Sequence, residues 1–254
     1  MSQKDLQPTS EQIEIVRWAA SLGAITAEAL ALRIDITLAS ARARLSVAQR
    51  RGLLSRDCPL AGKPALFTLT RAGLRACDAR GIQRCSVSRS NANHLAVCAV
   101  VAAALERSYP SHRLIGEHEL RRDEREHGRP LASAQLGALY DGERGLHRPD
   151  LVLWPNGPDG GLPVAVEVEL TVKAPRRLVG ICRAWARCRA VAGVLYLAPA
   201  NVERALLRAV AEARAHEEVV VVPLSALQGM STDIAEEPAR ESEGGSTSPR
   251  AQRI

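Results

Sequence analysis

The alternation of apolar and polar residues in VAVEVELTVK, residues 164–173, constrains the fold more than any other stretch of the chain. Side chains along a β-strand point to opposite faces in turn. One face would carry the apolar set Val164, Val166, Val168, Leu170 and Val172. The other would carry Ala165, Glu167, Glu169, Thr171 and Lys173. We therefore predict one long strand with two carboxylates and an amine on the same side.

A further acid stands just before the preceding apolar run. Pro149-Asp150 opens DLVLW, and the turn PNGPDGG separates that short strand from the long one. Asp150 would thus lie on the neighbouring strand, close to Glu167 and Glu169. Carboxylate oxygens suit magnesium or manganese, and such an ion activates water and stabilises charge on a phosphate. We predict Asp150, Glu167 and Glu169 as metal ligands, with Lys173 assisting hydrolysis.

A plainer interpretation also fits these residues. A strand that faces water often carries Glu, Thr and Lys, and Pro-Asp often opens a turn. Against this, the strand lies in the middle of an α/β region, where both faces tend to be covered. A cluster of acids would also repel itself without a cation. Both interpretations remain open from the sequence.

Positive charge is concentrated in the first third of the chain. Residues 1–90 hold 14 Lys/Arg against 7 Asp/Glu, whereas residues 91–254 hold 20 against 21. A basic segment joined to a neutral one is typical of a polyanion-binding module, although some basic segments bind nothing specific. The six cysteines form no CxxC pair and predict reduced core residues, neither a disulfide framework nor a zinc site. No membrane span or signal peptide is evident, so we expect a cytoplasmic protein.

The first ninety residues predict three helices, a β-hairpin and a further short helix. Thr9, Thr26 and either Asp35 or Thr37 precede the helices, LLSR and ALFTLT are β-prone, and RAGLRACDA closes the unit. This order resembles the winged helix-turn-helix superfamily over residues 9–80. The resemblance implies that the third helix enters the DNA major groove and a wing touches phosphate. The residues assigned to DNA are Thr37, Ser40, Arg42, Arg44 and, at the wing tip, Lys63. Winged helices that bind other proteins are the alternative.

From residue 91 onward the predicted order is α-β-β-β-α-β-α-β, in three layers or two. It resembles the PD-(D/E)XK nuclease superfamily over residues 91–198. That resemblance implies magnesium on Asp150 and Glu167 and a lysine beside the attacking water. The chain departs from it where Glu169 replaces the lysine expected two residues after Glu167, and Lys173 lies four residues further on. An active nuclease and a non-catalytic relative are both compatible with this departure.

The segments NHLAVCAVV, HRPDLVLW and VAVEVELTVKAPRRLVGI, after a winged helix, resemble the replication-relaxation family of bacterial plasmids and mobile elements. The resemblance spans residues 9–200 and implies a DNA-binding role in plasmid replication or mobilisation. We predict an α/β protein with a winged helix-turn-helix domain at 1–85, a restriction-endonuclease-like domain at 86–228 and a disordered polar tail at 229–254. Double-stranded DNA is the expected partner. A homodimer and a protein partner on the second domain are further possibilities.

Several other polar residues have two interpretations each. Glu117 and Glu119 alternate along the predicted strand HRLIGEHELRR and would either extend the acid cluster or face water. His94 lies in an apolar helix and is expected to be a core histidine rather than a ligand. His147 precedes Arg148-Pro149-Asp150 and is a weaker candidate for a phosphate contact. Arg176 and Arg177, at the start of a helix, would either grip a DNA backbone or be solvated.

Overall fold

The computed structural model describes residues 7–138, 144–156 and 160–227. Helices and a mixed sheet combine in it, so the predicted α/β class is confirmed. The predicted polar tail at 229–254 lies outside the described residues. In chain order the elements are α1 (Ser10–Leu22), β1 (Ala24–Ile25), α2 (Ala27–Ile34), α3 (Leu38–Arg50), β2 (Leu54–Asp57), β3 (Leu66–Leu69), α4 (Arg71–Ala76), α5 (Ala92–Ser108), β4 (His112–Gly116), α6 (Glu117–His127), β5 (Ala134–Ala138), β6 (Arg144–His147), β7 (Leu151–Pro155), β8 (Val164–Val168), α7 (Pro175–Ala186), β9 (Gly193–Ala198), α8 (Ala200–Ala213) and β10 (Val219–Pro223).

Threonine side chains begin all four helices of the N-terminal unit. Thr9, Thr26, Thr37 and Thr70 each accept a hydrogen bond from a backbone N–H in the first turn of α1, α2, α3 and α4. Such caps satisfy N–H groups that have no partner within the helix. Gly23 ends α1 at φ +87°, a conformation that glycine adopts at low cost. Strands β1, β3 and β2 form a small antiparallel sheet beside these helices.

A five-stranded sheet in the order β10-β9-β8-β7-β4 forms the second half of the molecule. Strands β4, β7 and β8 are antiparallel neighbours, whereas β8, β9 and β10 run parallel. Successive residues of the strands alternate between two cores. Leu151 and Val166 face α5 and the N-terminal unit, while Val152 and Ala165 belong to the core formed with α7 and α8. The sheet is therefore covered on both faces, and the arrangement has three layers.

Two local predictions were wrong. Residues 117–122 do not continue the strand of HRLIGEHELRR, because Glu117 begins α6, a charged helix with acids in its first turn and bases in its last. Strands β5 and β6, which pair with each other, lie in a region for which the sequence predicted no element. Strand β8 ends at Val168 rather than continuing to Lys173. Its register with β7 places Pro149 opposite Val168, and proline has no N–H for the ladder.

Hydrophobic packing crosses the predicted domain boundary at residue 85. One continuous core contains Trp18 and Leu45 from the first unit together with Val101, Leu151 and Leu197 from the second. Gly116 at the end of β4 lies directly on α1, and its N–H donates to Ser21 Oγ at 2.9 Å. The boundary itself stays a prediction. No helix in the described part of the chain combines the length and apolar character needed to cross a membrane.

Candidate active site

Asp150 is held in place at the start of β7 by the strands on both sides of it. Its backbone oxygen accepts a hydrogen bond from Glu117 N at 2.9 Å. Its carboxylate Oδ2 accepts another from Val168 N at 2.8 Å. The side chain is only 19% exposed, so its position is fixed before any ligand arrives.

The other oxygen of Asp150 meets a histidine from α5. His94 Nε2 lies 2.9 Å from Asp150 Oδ1, and Cys98 Sγ lies 3.4 Å from the same nitrogen. His94 and Cys98 are four residues apart on one helix, which places them on the same face. Burial lowers the pKa of His94, but the hydrogen bond and charge of Asp150 outweigh it, so the pKa is raised.

Glu167 is almost fully buried, and a histidine lies beside it. His147 Nε2 lies 2.7 Å from Glu167 Oε1, but neither atom has a hydrogen-bond partner because the contact is not aligned as a hydrogen bond. Burial raises the pKa of Glu167, and the nearby His147 opposes the shift. Burial lowers the pKa of His147, but Glu167 raises it more. Trp185 fixes the imidazole through an edge-to-face contact at 5.7 Å between ring centroids.

Glu169 and Lys173 form the third pair. Lys173 Nζ contacts Glu169 Oε2, and Glu169 is buried at 4% exposure. A straight strand would have carried the Cα of the lysine about 20 Å from that of Glu167. The chain instead bends after Val168, and this bend returns the amine to the acids. Asp150, Glu167 and Glu169 thus each have one positively charged or ionisable partner from the protein.

The predicted ligands lie at adjoining ends of β7 and β8, but they do not converge equally. Among the residues that the structure describes, the only set of three His, Cys, Asp or Glu donors within 4.8 Å of one another is His94, Cys98 and Asp150. The sequence analysis assigned His94 to the core. The signal that identifies it is the spacing of four residues between a histidine and a cysteine on a helix that packs on the sheet.

The structure does not bring the residues predicted to bind DNA onto one face of α3. Thr37 caps the helix, and its Oγ1 lies 2.9 Å from Ser40 Oγ. Arg42 is well exposed at 63% and lies 3.6 Å from Glu28 of α2. Arg44, two residues on and so on the opposite flank of the helix, contacts Glu11 of α1 and is less open to solvent. Arg50, at the end of α3, is exposed.

Lys63 lies apart from α3, on the loop between β2 and β3. Its side chain borders an apolar cleft of about 340 Å³ between this loop and α5, whose walls include Leu60, Val97 and Val100. Lys63 itself is exposed. A phosphate contact therefore remains sterically open to it.

We call the cluster of Asp150, Glu167 and Glu169 the acid pocket. Of the remaining candidates, Glu117 contacts it through its backbone N–H, which bonds to Asp150 O. Glu117 and Glu119 belong to the first turn of α6, where they pair with arginines. Arg176 and Arg177 are exposed at the start of α7. A second cleft, of about 530 Å³, was not foreseen from the sequence, and its walls include Arg121, Glu124, Arg125, Arg129 and Arg148.

Comparisons with models of protein families, with curated proteins and with solved structures gave no match to this chain. The function must therefore be argued from the residues and their geometry.

Proposed function

We propose that the protein is a DNA-binding, metal-dependent nuclease with a winged helix-turn-helix unit and a PD-(D/E)XK-like second half. The observation that carries this proposal is the convergence of Asp150, Glu167, Glu169 and Lys173 at one end of two adjacent strands. These carboxylates are largely withdrawn from solvent, where unneutralised charge is costly. Such a cluster is typical of a site that handles a cation and a phosphate.

The residues present fit a divalent cation. Asp150 and Glu167 offer carboxylate oxygens, the donors that magnesium and manganese prefer, at adjoining ends of two strands. They would hold magnesium or manganese, which would supply an activated water and stabilise charge on the phosphate. Glu169 holds Lys173, whose ammonium can orient the water or bind a phosphate oxygen. His147, whose Nε2 lies 2.7 Å from Glu167 Oε1, positions Glu167.

DNA contact is proposed for the basic first third of the chain. Arg42 on α3 presents a guanidinium to solvent, and Ser40 and Arg50 are exposed on the same helix. Arginine pairs with guanine edges, whereas Lys63 on the loop would touch phosphate. The resemblance to the replication-relaxation family suggests that the DNA is that of a plasmid or mobile element during replication or mobilisation.

A second candidate function follows from the same acid pocket. His94 faces Asp150, His147 faces Glu167 and Lys173 faces Glu169, so the protein can balance the three acids without any ion. This favours a winged-helix regulator whose nuclease-like half is inactive or recruits a partner protein. The two functions differ in whether a divalent ion and Glu167 are needed.

Nicking of supercoiled plasmid with magnesium or manganese tests the proposal. The native protein is compared with Asp150→Asn, Glu167→Gln and the exposed control Glu217→Gln. We expect metal-dependent nicking that both site variants lose and the control keeps. Absence of nicking with either metal, when DNA binding is demonstrated in the same sample, would favour the regulator. Nicking that survives Asp150→Asn and Glu167→Gln would place the chemistry elsewhere.

A further inference from the structure

The geometry points to a zinc-class metal site formed by His94, Cys98 and Asp150, on the α5 side of the sheet. The site supplies one nitrogen, one sulfur and one oxygen donor, which all lie within 4.8 Å of one another. It deepens the proposed function, on which it rests for the role of Asp150, by naming the class of ion at that carboxylate. A zinc-class ion would take the place of magnesium or manganese at Asp150 Oδ1, since Asp150 Oδ2 already accepts the hydrogen bond from Val168 N.

The distances fit a small tetrahedral ion. From zinc–ligand bond lengths of about 2.0–2.3 Å, two ligand atoms of one tetrahedral ion lie roughly 3.3–3.6 Å apart. His94 Nε2 and Cys98 Sγ are 3.4 Å apart, within this range. His94 Nε2 and Asp150 Oδ1, at 2.9 Å, need to separate by only about 0.4 Å to reach it.

Hydrogen bonding alone serves these three groups poorly. His94 Nε2 lies between Asp150 Oδ1 and Cys98 Sγ, but a ring nitrogen carries at most one proton. That proton can point to the carboxylate or to the sulfur, not to both. A divalent ion among the three atoms would accept an electron pair from each. The three atoms are therefore placed so that one ion could contact all of them at once.

Access and support are also those of a metal site. The side chains of His94 and Asp150 are 37% and 19% exposed, so an ion can reach them from solvent. Three protein ligands with one open position are typical of catalytic zinc. The hydrogen bond from Val168 N to Asp150 Oδ2 orients the carboxylate from behind.

The donor set also predicts which ions bind. Magnesium prefers six oxygen ligands in an octahedron, whereas imidazole and thiolate suit zinc and cobalt. A zinc-class ion also deprotonates the thiol that it binds. The CxxC spacing that usually signals zinc in a sequence is absent here, because the ligands come from one helix and one strand.

Cobalt titration of the full metal-free chain, followed by absorption, tests this assignment. We expect the intense visible bands of tetrahedral cobalt and a thiolate-to-cobalt charge-transfer band, neither of which excess magnesium removes. Cys98→Ser should abolish the charge-transfer band. His94→Ala should weaken cobalt binding by more than the roughly tenfold to hundredfold that loss of an indirect partner costs. The matched controls Cys58→Ser and His216→Ala, both at exposed positions, should leave the spectrum and affinity unchanged.

The same titration separates this inference from the proposed function. Glu167→Gln should keep the cobalt spectrum and lose nicking. A native protein that nicks plasmid but shows no charge-transfer band, or a Cys98→Ser variant that keeps the band, would overturn the site. A native protein with the full cobalt spectrum but no nicking would support the site and refute the nuclease. His94→Gln, with folding checked by circular dichroism, replaces His94→Ala if the latter does not fold.

Discussion

Burial and charge act together on the residues around Glu167. Burial and the charge of this carboxylate raise the pKa of two neighbouring groups, the Cys182 thiol on α7 and the Tyr196 hydroxyl on β9. The pKa of the Cys182 thiol rises to about 11 through burial first and the charge of Glu167 second. Sequence reasoning placed Glu167 in a site but could not foresee its partner, because His147 reaches it from a strand that the sequence did not indicate.

Cysteine labelling checks this environment. Because thiolate is the reactive form, a thiol with a pKa near 11 is only about one part in a thousand ionised at pH 8. Native protein treated with iodoacetamide at pH 8 should therefore react at the exposed Cys58 while Cys182 stays unlabelled, as peptide mass spectrometry would report. Because Cys182 is also fully buried, its labelling should approach that of Cys58 only after unfolding in urea. Equal rates at Cys58 and Cys182 at pH 8 would contradict the assignment.

At the scale of elements, strong periodicity predicted the type of an element correctly. The predictions failed where contacts with another segment, or pairing between charges, decided the structure. Helices α1 and α2 begin at the threonine caps that the sequence indicated, and α3 begins at Thr37, one of the two starts it left open. Strands β9 and β10 coincide with apolar runs. The long strand failed because its length depended on Pro149, a residue on the neighbouring strand. Helix α6 was missed because EHE alternates like a strand, whereas its charges pair at helical spacing. The alternation of residues along one segment does not reveal either effect.

The contact between β4 and α1 predicts a sensitive glycine. A Cβ at Gly116 would lie 2.4 Å from Ser21 O and 2.7 Å from Leu22 Cα, both backbone atoms that cannot easily move. Gly116→Ala should lower the free energy of unfolding by about 1–3 kcal/mol. Gly180→Ala, in α7 with open space around it, should raise it by about 0.5–1 kcal/mol. Urea unfolding of the three proteins measures both signs, and destabilisation by Gly180→Ala would argue against the comparison.

The cap of α2 offers a second test of an element. Thr26 is buried and accepts a hydrogen bond from Ala29 N at 3.1 Å. Thr26→Ala should cost about 1 kcal/mol, or more because the N–H is then left buried without a partner. Thr26→Ser keeps the hydroxyl and should recover most of the loss. If the serine variant were as unstable as alanine in thermal unfolding, packing of the methyl group rather than the cap would be responsible.

At the scale of the whole molecule, the basic N-terminal unit and the acid pocket are parts of one packed body. The core that contains Trp18 and Leu45 also contains Val166 and Val168 of the strand that carries Glu167. The predicted boundary between these units rested on charge and composition, which reflect mainly the residues at the surface. It could not show that their interiors join, because contacts between distant segments leave no local pattern.

The salt dependence of DNA binding tests the role of the basic unit. If Lys63 contacts a phosphate, Lys63→Ala should reduce the slope of log K against log salt by about 0.9 on duplex DNA. Arg208→Ala, an exposed change on α8, should leave the slope unaltered. Fluorescence anisotropy at several salt concentrations measures both. An unchanged slope for Lys63→Ala would remove this loop from the DNA interface.

The joined core has a consequence for where a cut would fall. A nuclease whose recognition and cutting units swing on a flexible tether cleaves over a spread of positions around its binding site. In this molecule Gly116 rests on the backbone of α1, and the strands of the acid pocket belong to the same hydrophobic core as α3. If the proposed nuclease activity is present, this packing fixes the distance between α3 and the acid pocket. Cuts mapped at single-nucleotide resolution would then fall at one constant offset from the bound sequence.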